Sequence, residues 1–260
     1  MKMTIWMLFM FTVTLATKQH LRSFLIEADP LDMANDSVDD AYMDCAEKMS
    51  ELVKKQYLKQ ERNANANFSK AWRFAEKKAK SEDGLEKEHA VAIWIYTSEN
   101  PKIYADFNKA VGNGSKSYKN GKFQYHSLHF LLTTAIQRLK AKQKPGMRTY
   151  RRTRDSYDNV AIGTTIRFNR FASTSLDYKG TEMFGEKTCF EIYTHCGADI
   201  TKFSALKREK EVLIPPYEKF KVTSVQMKKR RPDLWCDVVY TLKGDGIQSN
   251  LDCALFHKVN

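Results

Sequence analysis

The feature that most constrains the fold is a change of hydrophobic pattern at Pro145-Gly146. Before this point, apolar residues recur three and four positions apart, which is typical of amphipathic helices. After it, the chain consists of short β-branched and aromatic runs separated by turn residues, which is typical of strands. Helices followed by strands, without βαβ alternation, predict an α+β fold. An N-terminal helical region would precede a mainly antiparallel β-sheet core.

The predicted elements fill most of the 260 residues. Helices are predicted over residues 41–61, 71–79, 89–96, 103–111 and 123–142. Strands are predicted over residues 148–153, 164–168, 188–194, 209–214, 220–227, 235–242 and 250–258. We expect a single domain over residues 18–260, with a helical part at about 37–144 and a sheet part at about 145–258.

Residues 1–17 have the pattern of a secretory signal peptide. Lys2 precedes an uncharged, mostly apolar run from Ile5 to Ala16, which is too short to cross a membrane as a helix. Asn-x-Ser sequons at Asn35, Asn67 and Asn113 agree with export and predict a glycoprotein. The C-terminal residues are polar, unlike the hydrophobic tail of a GPI signal. We therefore expect a secreted, extracellular protein without a membrane anchor.

Basic residues outnumber acidic ones, with 43 Lys+Arg against 31 Asp+Glu, and the formal net charge is +12. Four consecutive cations at residues 228–231 precede Pro232-Asp233. We interpret this run as a solvent-exposed hairpin turn, because no aromatic residues interleave the charges to form a base-stacking platform. The charge favours steering toward anionic ligands or cell surfaces, and nucleic-acid binding is not expected.

The five cysteines predict two disulfides and one free thiol in an oxidising compartment: Cys45, Cys189, Cys196, Cys236 and Cys253. Their spacing leaves the connectivity open. A bridge between Cys45 and Cys253 is attractive, because closing a long loop restricts the unfolded chain most.

Several enzyme classes lose support because their motifs are absent from the chain. The sequence contains no HExxH, no GxSxG and no P-loop. His126 and His129 are three apart on a predicted helix, without a carboxylate in register, so we interpret them as packing residues and not as metal ligands.

The segment around Glu209 and Glu211 suggests glycosidic chemistry. In a strand, residues i and i+2 point to the same side, so the two carboxylates would lie together while Lys210 faces away. One carboxylate could stabilise an oxocarbenium-like sugar while the other engages the attacking group. Alternating charges are also ordinary on an exposed strand, so this pair alone decides little.

Two upstream segments add to this pair. Tyr150-Arg151 lies on the first predicted strand, and Phe171-Ala172-Ser173-Thr174-Ser175 follows about twenty residues later. The ordered set Arg151, Ser173-Thr174-Ser175 and Glu209-Lys210-Glu211 resembles the R-S-E signature of arginine-specific mono-ADP-ribosyltransferases, the vertebrate ecto-enzymes. The resemblance extends over roughly residues 40–257. It implies transfer of ADP-ribose from NAD to arginine side chains, with release of nicotinamide and without a metal.

The resemblance also implies a role for each residue. Catalysis would involve Arg151, Ser173, Glu209 and Glu211, and NAD would be bound by Arg151, Ser173, Thr174, Ser175, Phe184 and Glu211. Arg151 would hold the phosphates, and Arg152 would point to the opposite face of the strand. Glu211 would stabilise the charge that develops at the ribose, and Glu209 would engage the acceptor guanidinium. Phe203, in the segment 197–208, would contact the acceptor.

The acceptors would be arginine-containing proteins, extracellular or on cell surfaces. Two alternatives remain open at this point. An NAD glycohydrolase would use the same residues with water as the acceptor, and a catalytically silent binding protein could retain the same fold. The sequence does not define the oligomeric state.

Overall fold

A computed structural model describes residues 30–157 and 160–256, so the predicted signal peptide at residues 1–17 lies outside the described residues. The α-helices are α1 (Ala46–Leu52), α2 (Leu58–Ala64), α3 (Ala66–Lys78), α4 (Lys87–Thr97), α5 (Ile103–Gly112), α6 (Ser115–Lys119) and α7 (His126–Lys140). A π-helical turn, Val53–Tyr57, joins α1 to α2. Within the described residues, none of the helices has the length and apolar character needed to span a membrane.

The strands are β1 (Met147–Thr153), β2 (Thr165–Arg167), β3 (Ala172–Ser175), β4 (Thr188–Thr194), β5 (Ala198–Asp199), β6 (Glu211–Ile214), β7 (Glu218–Met227) and β8 (Val238–Ile247). They form one sheet in the order β2-β7-β8-β4-β1-β3-β6-β5. Neighbouring strands are antiparallel except β4 and β8, which are parallel. The predicted α+β class with a mainly antiparallel sheet is confirmed.

Helix α7 is the centre of the helical core, and most of its residues are buried. It begins at His126, three residues later than the hydrophobic pattern predicts. The Glu61 carboxylate of α2 accepts the backbone N–H of Ser127 at 3.1 and 3.2 Å, which satisfies one of the unpaired donors at the start of the helix. The same core includes Leu213 of β6 and Phe171, which immediately precedes β3.

The two histidines of α7 are packing residues, as the sequence predicted. His129 is fully buried, with its Nδ1 atom 2.8 Å from the Tyr42 hydroxyl and its Nε2 atom 3.0 Å from the Val38 carbonyl oxygen. His126 stacks on Tyr57, with ring centroids 4.3 Å apart. Burial lowers the pKa of His129 to about 3 and that of His126 to about 4, so both rings are neutral at physiological pH.

The predicted last strand, residues 250–258, is wrong for its described part, because residues 250–256 form turns. Three of their backbone N–H groups bind carboxylates instead of a neighbouring strand. Asp39 accepts from the N–H groups of Asn250 and Leu251, at 2.8 and 2.9 Å, and Asp40 accepts from that of Cys253 at 3.0 Å. Asp39 also forms a fully buried ion pair with Arg167 of β2.

Two disulfides and one thiol are present, as predicted. Cys45 is bonded to Cys253, which ties the start of α1 to the C-terminal turns. Cys189 of β4 is bonded to Cys236, just before β8, and Cys196 is free. The basic run at residues 228–231 lies in the connection between β7 and β8, in agreement with the predicted turn.

Candidate active site

A cleft of about 590 Å³ lies between the helical part and the sheet. Its walls come from α4, α5, β1, β3, the start of β6 and a 3-10 helix, Lys179–Phe184. This volume is in the usual range for small-molecule sites. The cleft brings together the residues that the sequence predicted for catalysis and NAD binding, namely Arg151, Ser173, Thr174, Ser175, Phe184, Glu209 and Glu211.

Arg151 lies in the middle of β1, at the wall of the cleft. One of its guanidinium nitrogens, Nη1, donates to the backbone carbonyl of Ser173 at 2.8 Å. A guanidinium has five N–H donors, so this bond fixes the group and leaves donors for a bound anion. Its neighbour Arg152 contacts other residues, the rings of Tyr178 and Trp235, as expected from strand alternation.

The hydroxyl groups of β3 connect this strand to β6 and to the segment just before β6. Thr174 donates to the carbonyl of Val212 at 2.8 Å, and Ser175 donates to the carbonyl of Glu209 at 2.6 Å. The Ser173 hydroxyl donates to the Tyr96 hydroxyl at 3.4 Å, and its interaction with the Glu211 side chain lowers the pKa of that carboxyl group. Ser173 therefore holds the Glu211 carboxylate, whereas Thr174 and Ser175 hold the backbone beside it.

Glu211 is the first residue of β6, and only 4% of it is exposed. Burial raises its pKa to about 7. The bond from Ser173 and the charge of Arg151 lower this pKa, while the charge of Glu209 raises it. A carboxyl group that changes its charge near neutral pH inside a cleft is typical of catalytic sites.

Glu209 does not belong to the strand that the sequence predicted. It ends a 3-10 helix, Lys207–Glu209, and the next residue, Lys210, has left-handed backbone angles with φ 45° and ψ 50°. This reversal means that strand alternation does not place the two carboxylates side by side. The irregular backbone nevertheless brings both to the cleft, with Glu209 half-buried. Burial raises the pKa of Glu209, as does the nearby charge of Glu99.

Phe184 ends the 3-10 helix, lines the cleft and is 42% exposed, an unusually open position for an aromatic ring. The next residue, Gly185, has φ 117° and packs closely on β1. A Cβ atom there would lie 2.5 Å from the Arg154 side chain and 3.0 Å from the backbone of Thr153. Only glycine fits this contact, so the path of the chain after Phe184 depends on it.

A family model for NAD:arginine ADP-ribosyltransferase matches residues 31–236. The chain belongs to this family. Human ecto-ADP-ribosyltransferase 5 is 34% identical over 208 residues, which cover 75% of this chain and 71% of the human protein. The chicken erythroblast NAD(P)(+)--arginine ADP-ribosyltransferase is 34% identical over 204 residues, covering 75% of this chain and 67% of the chicken protein.

Solved structures agree with this assignment. A crystal structure of the eukaryotic mono-ADP-ribosyltransferase ART2.2, a variant in complex with NAD, superimposes with a TM-score of 0.72 at 29% identity. The match covers 88% of this chain and 100% of that chain. The family and fold predicted from the sequence are therefore confirmed, together with the enzyme class, a transferase that uses NAD as its substrate.

One expectation for this ADP-ribosyltransferase is wrong. Phe203 is only 8% exposed and packs in the helical core with Leu213 and Ile200. The ring therefore does not face an acceptor. Phe203 lies in the hydrophobic core because its segment folds back against β6. There the N–H of Ile200 donates to the carbonyl of Glu211 at 2.9 Å.

Sequence reasoning missed the contribution of α4 to the site. The Tyr96 hydroxyl donates to the carbonyl of Phe171 at 3.1 Å and accepts from Asn108 at 3.1 Å, beside Ser173. Glu99 lines the cleft just after the same helix. The apolar pattern of residues 89–96 predicts a helix and contains no signal that the hydroxyl at its end reaches a cleft on the sheet.

Proposed function

We propose that the cleft binds NAD and transfers its ADP-ribose to the guanidinium group of arginine. The observation that carries this proposal is the grouping of a buried carboxylate, Glu211, with Ser173, Arg151 and a second carboxylate, Glu209, in one cleft. Membership of the ADP-ribosyltransferase family supplies the reaction class, and the assignment of roles below rests on the contacts of each side chain.

Arg151 binds the phosphates of NAD, because a guanidinium fork fits phosphate oxygens bidentately and its free donors remain available beside the bond to Ser173. Phe184 offers its exposed ring to the nicotinamide. Thr174 and Ser175 act on binding through the backbone around Glu211, because Thr174 is bonded to Val212 of β6 and Ser175 to Glu209 just before this strand. These contacts support a defined orientation of NAD, with the nicotinamide ribose near Glu211.

Glu211 acts on the ribose. Its ionised carboxylate accepts a hydrogen bond from the 2′-hydroxyl and stabilises positive charge at the anomeric carbon while the bond to nicotinamide breaks. The electron pair of that bond leaves with nicotinamide, which becomes neutral. Ser173 orients the carboxylate through its hydroxyl, and Arg151 lies close enough to favour the ionised form.

Glu209 engages the arginine acceptor. An acceptor guanidinium is a cation, so the half-buried carboxylate attracts it and can take the proton that must leave when a guanidine nitrogen bonds to the anomeric carbon. The raised pKa of Glu209 makes it a stronger base than an ordinary exposed carboxylate. The acceptors are proteins outside the cell or on its surface, and the two disulfides fit an oxidising compartment.

The test of the acceptor role uses the full-length protein, secreted from cultured cells, with NAD and the arginine analogue agmatine. Glu209→Gln should abolish ADP-ribosyl-agmatine while nicotinamide release continues, because water remains as an acceptor. Glu51→Gln, an exposed carboxylate on α1, is the matched control and should retain both activities. Loss of nicotinamide release together with transfer in Glu209→Gln would contradict the assigned role.

A further inference from the structure

Arg152 is a buried cation beside the cleft. Only 3% of its side chain is exposed, and its guanidinium carbon lies 4.7 Å from the ring centroid of Trp235 and 5.2 Å from that of Tyr178. These two rings pack edge to face, with centroids 4.9 Å apart. Contacts of this kind between a cation and an aromatic face are strongest when water is excluded. The arginine and the two rings therefore form one packed unit.

The hydrogen bonds of Arg152 extend this unit to the 3-10 helix. Its Nε atom donates to the Thr181 hydroxyl at 3.2 Å, and Nη1 donates to the carbonyl of Trp235 at 3.4 Å. The carboxylates of Glu182 and Glu186 lie 3.9 and 3.8 Å from its terminal nitrogens. Each guanidinium nitrogen thus faces an oxygen of the protein, so the polar contacts of this group lie within the chain.

The segment that Arg152 holds is a wall of the cleft. Tyr178 immediately precedes the 3-10 helix, Thr181 is its third residue, and Phe184 lies one 3-10 turn after Thr181. Thr181 is buried and donates to the carbonyl of Tyr178 at 2.7 Å, so the contacts with Arg152 reach the helix at a rigid point. The Phe184 ring is 42% exposed, so its own contacts cover it only in part.

We propose that Arg152 is a positioning residue for NAD, which fixes the 3-10 helix so that the Phe184 ring stands in the cleft. The inference rests on the proposed function, because it assigns Phe184 to the nicotinamide end of NAD. It differs from the role of Arg151, which binds the substrate itself. A lysine at position 152 keeps the charge, but it lacks the planar fork that both packs against the two rings and bonds Thr181.

The experiment measures the Kd of NAD by isothermal titration calorimetry in the Glu211→Gln background, which prevents turnover. Arg152→Lys should raise the Kd about tenfold, the change that corresponds to about 1.4 kcal/mol. Arg148→Lys is the matched control on the same strand, because Arg148 is 64% exposed and pairs with Glu191. It should leave the Kd unchanged. An unchanged Kd in Arg152→Lys would overturn the inference.

To distinguish positioning through Phe184 from a general structural role of Arg152, the Kd comparison is repeated in protein that also carries Phe184→Ala. If Arg152 acts through Phe184, Arg152→Lys should change the Kd less than about twofold in that background. An equal tenfold effect in both backgrounds would overturn the inference. Tyr178→Leu removes one ring and leaves Arg152 in place, so it provides the same comparison if Arg152→Lys does not fold.

The outcomes also separate this inference from the proposed function. If the protein with Glu211→Gln as its only substitution binds NAD and the Arg152 comparisons fail, only the positioning role is wrong. If folded protein with the natural sequence neither binds NAD nor releases nicotinamide, both are wrong.

Discussion

The ionisation of Glu211 predicts how NAD cleavage depends on pH. Its pKa is raised from 4.5 to about 7 by burial, a difference that corresponds to roughly 3 kcal/mol against the charged form. The reaction uses the carboxylate, so kcat/KM should fall as the pH drops below 7. Roughly one tenth of Glu211 is ionised at pH 6 and roughly nine tenths at pH 8, and kcat/KM should follow these fractions.

The acid limb of the pH profile is the pH range over which kcat/KM falls. Two substitutions should move this limb in opposite directions. Ser173→Ala removes the hydrogen bond that lowers the pKa of Glu211, so the limb should move to higher pH. Glu209→Gln removes the neighbouring charge that raises this pKa, so the limb should move to lower pH. Either variant can also change the maximum kcat/KM reached at high pH, but the pH at which the limb lies does not depend on that maximum.

The assay follows nicotinamide release from NAD between pH 5 and 9, without an arginine acceptor and at constant ionic strength. In kcat the limb should lie at lower pH than in kcat/KM, because the cationic nicotinamide ring of bound NAD favours the ionised carboxylate. A flat kcat/KM between pH 5.5 and 8 would refute this account of Glu211. Movement of the limb in the same direction by Ser173→Ala and Glu209→Gln would refute the assigned interactions.

The remaining predictions concern stability and are measured by urea unfolding. Asp39→Asn should lower the free energy of unfolding by about 3–5 kcal/mol, because it leaves the buried Arg167 cation without its partner, and a loss under about 1 kcal/mol would contradict this. Replacing both Cys45 and Cys253 by serine should lower the free energy of unfolding by up to about 5 kcal/mol, because the bridge closes a separation of 208 residues. An unchanged free energy of unfolding would contradict this role of the disulfide. Burial raises the pKa of Glu61 to about 8, so the stability that its proton contributes is present below its ordinary pKa and lost as the pH rises through 8. The free energy of unfolding of the natural protein, relative to that of Glu61→Gln, should therefore decrease between pH 5 and pH 9. A constant or increasing difference would contradict the raised pKa.

The fold was predictable where a local pattern and the tertiary structure agree. Helix α7 and strands β1, β4 and β7 follow from the local sequence pattern, and in the first half of β7 buried residues alternate with more exposed ones as this pattern predicts. The prediction failed where side chains compete for the backbone. Residues 250–256 have a strand-like composition, but Asp39 and Asp40, more than 200 positions away, bind their N–H groups.

The site was predictable from the order of its motifs and not from the geometry first assigned to them. Glu209 and Glu211 do line one cleft, but a left-handed residue at Lys210 brings them there instead of strand alternation. A left-handed lysine has no signal in sequence, since glycine or asparagine is usual at such positions. Tyr96 and the Arg152 unit were also hidden, because each depends on contacts between distant segments.

The most direct test of the central claim follows nicotinamide release from NAD by the purified protein, with and without agmatine, beside Glu211→Gln. Release that rises with agmatine, yields ADP-ribosyl-agmatine and falls by at least about 100-fold in Glu211→Gln is the predicted result. Release that is indifferent to agmatine would identify an NAD glycohydrolase. Absence of release from folded protein, or full activity of Glu211→Gln, would contradict the assignment of this cleft as an arginine ADP-ribosyltransferase site.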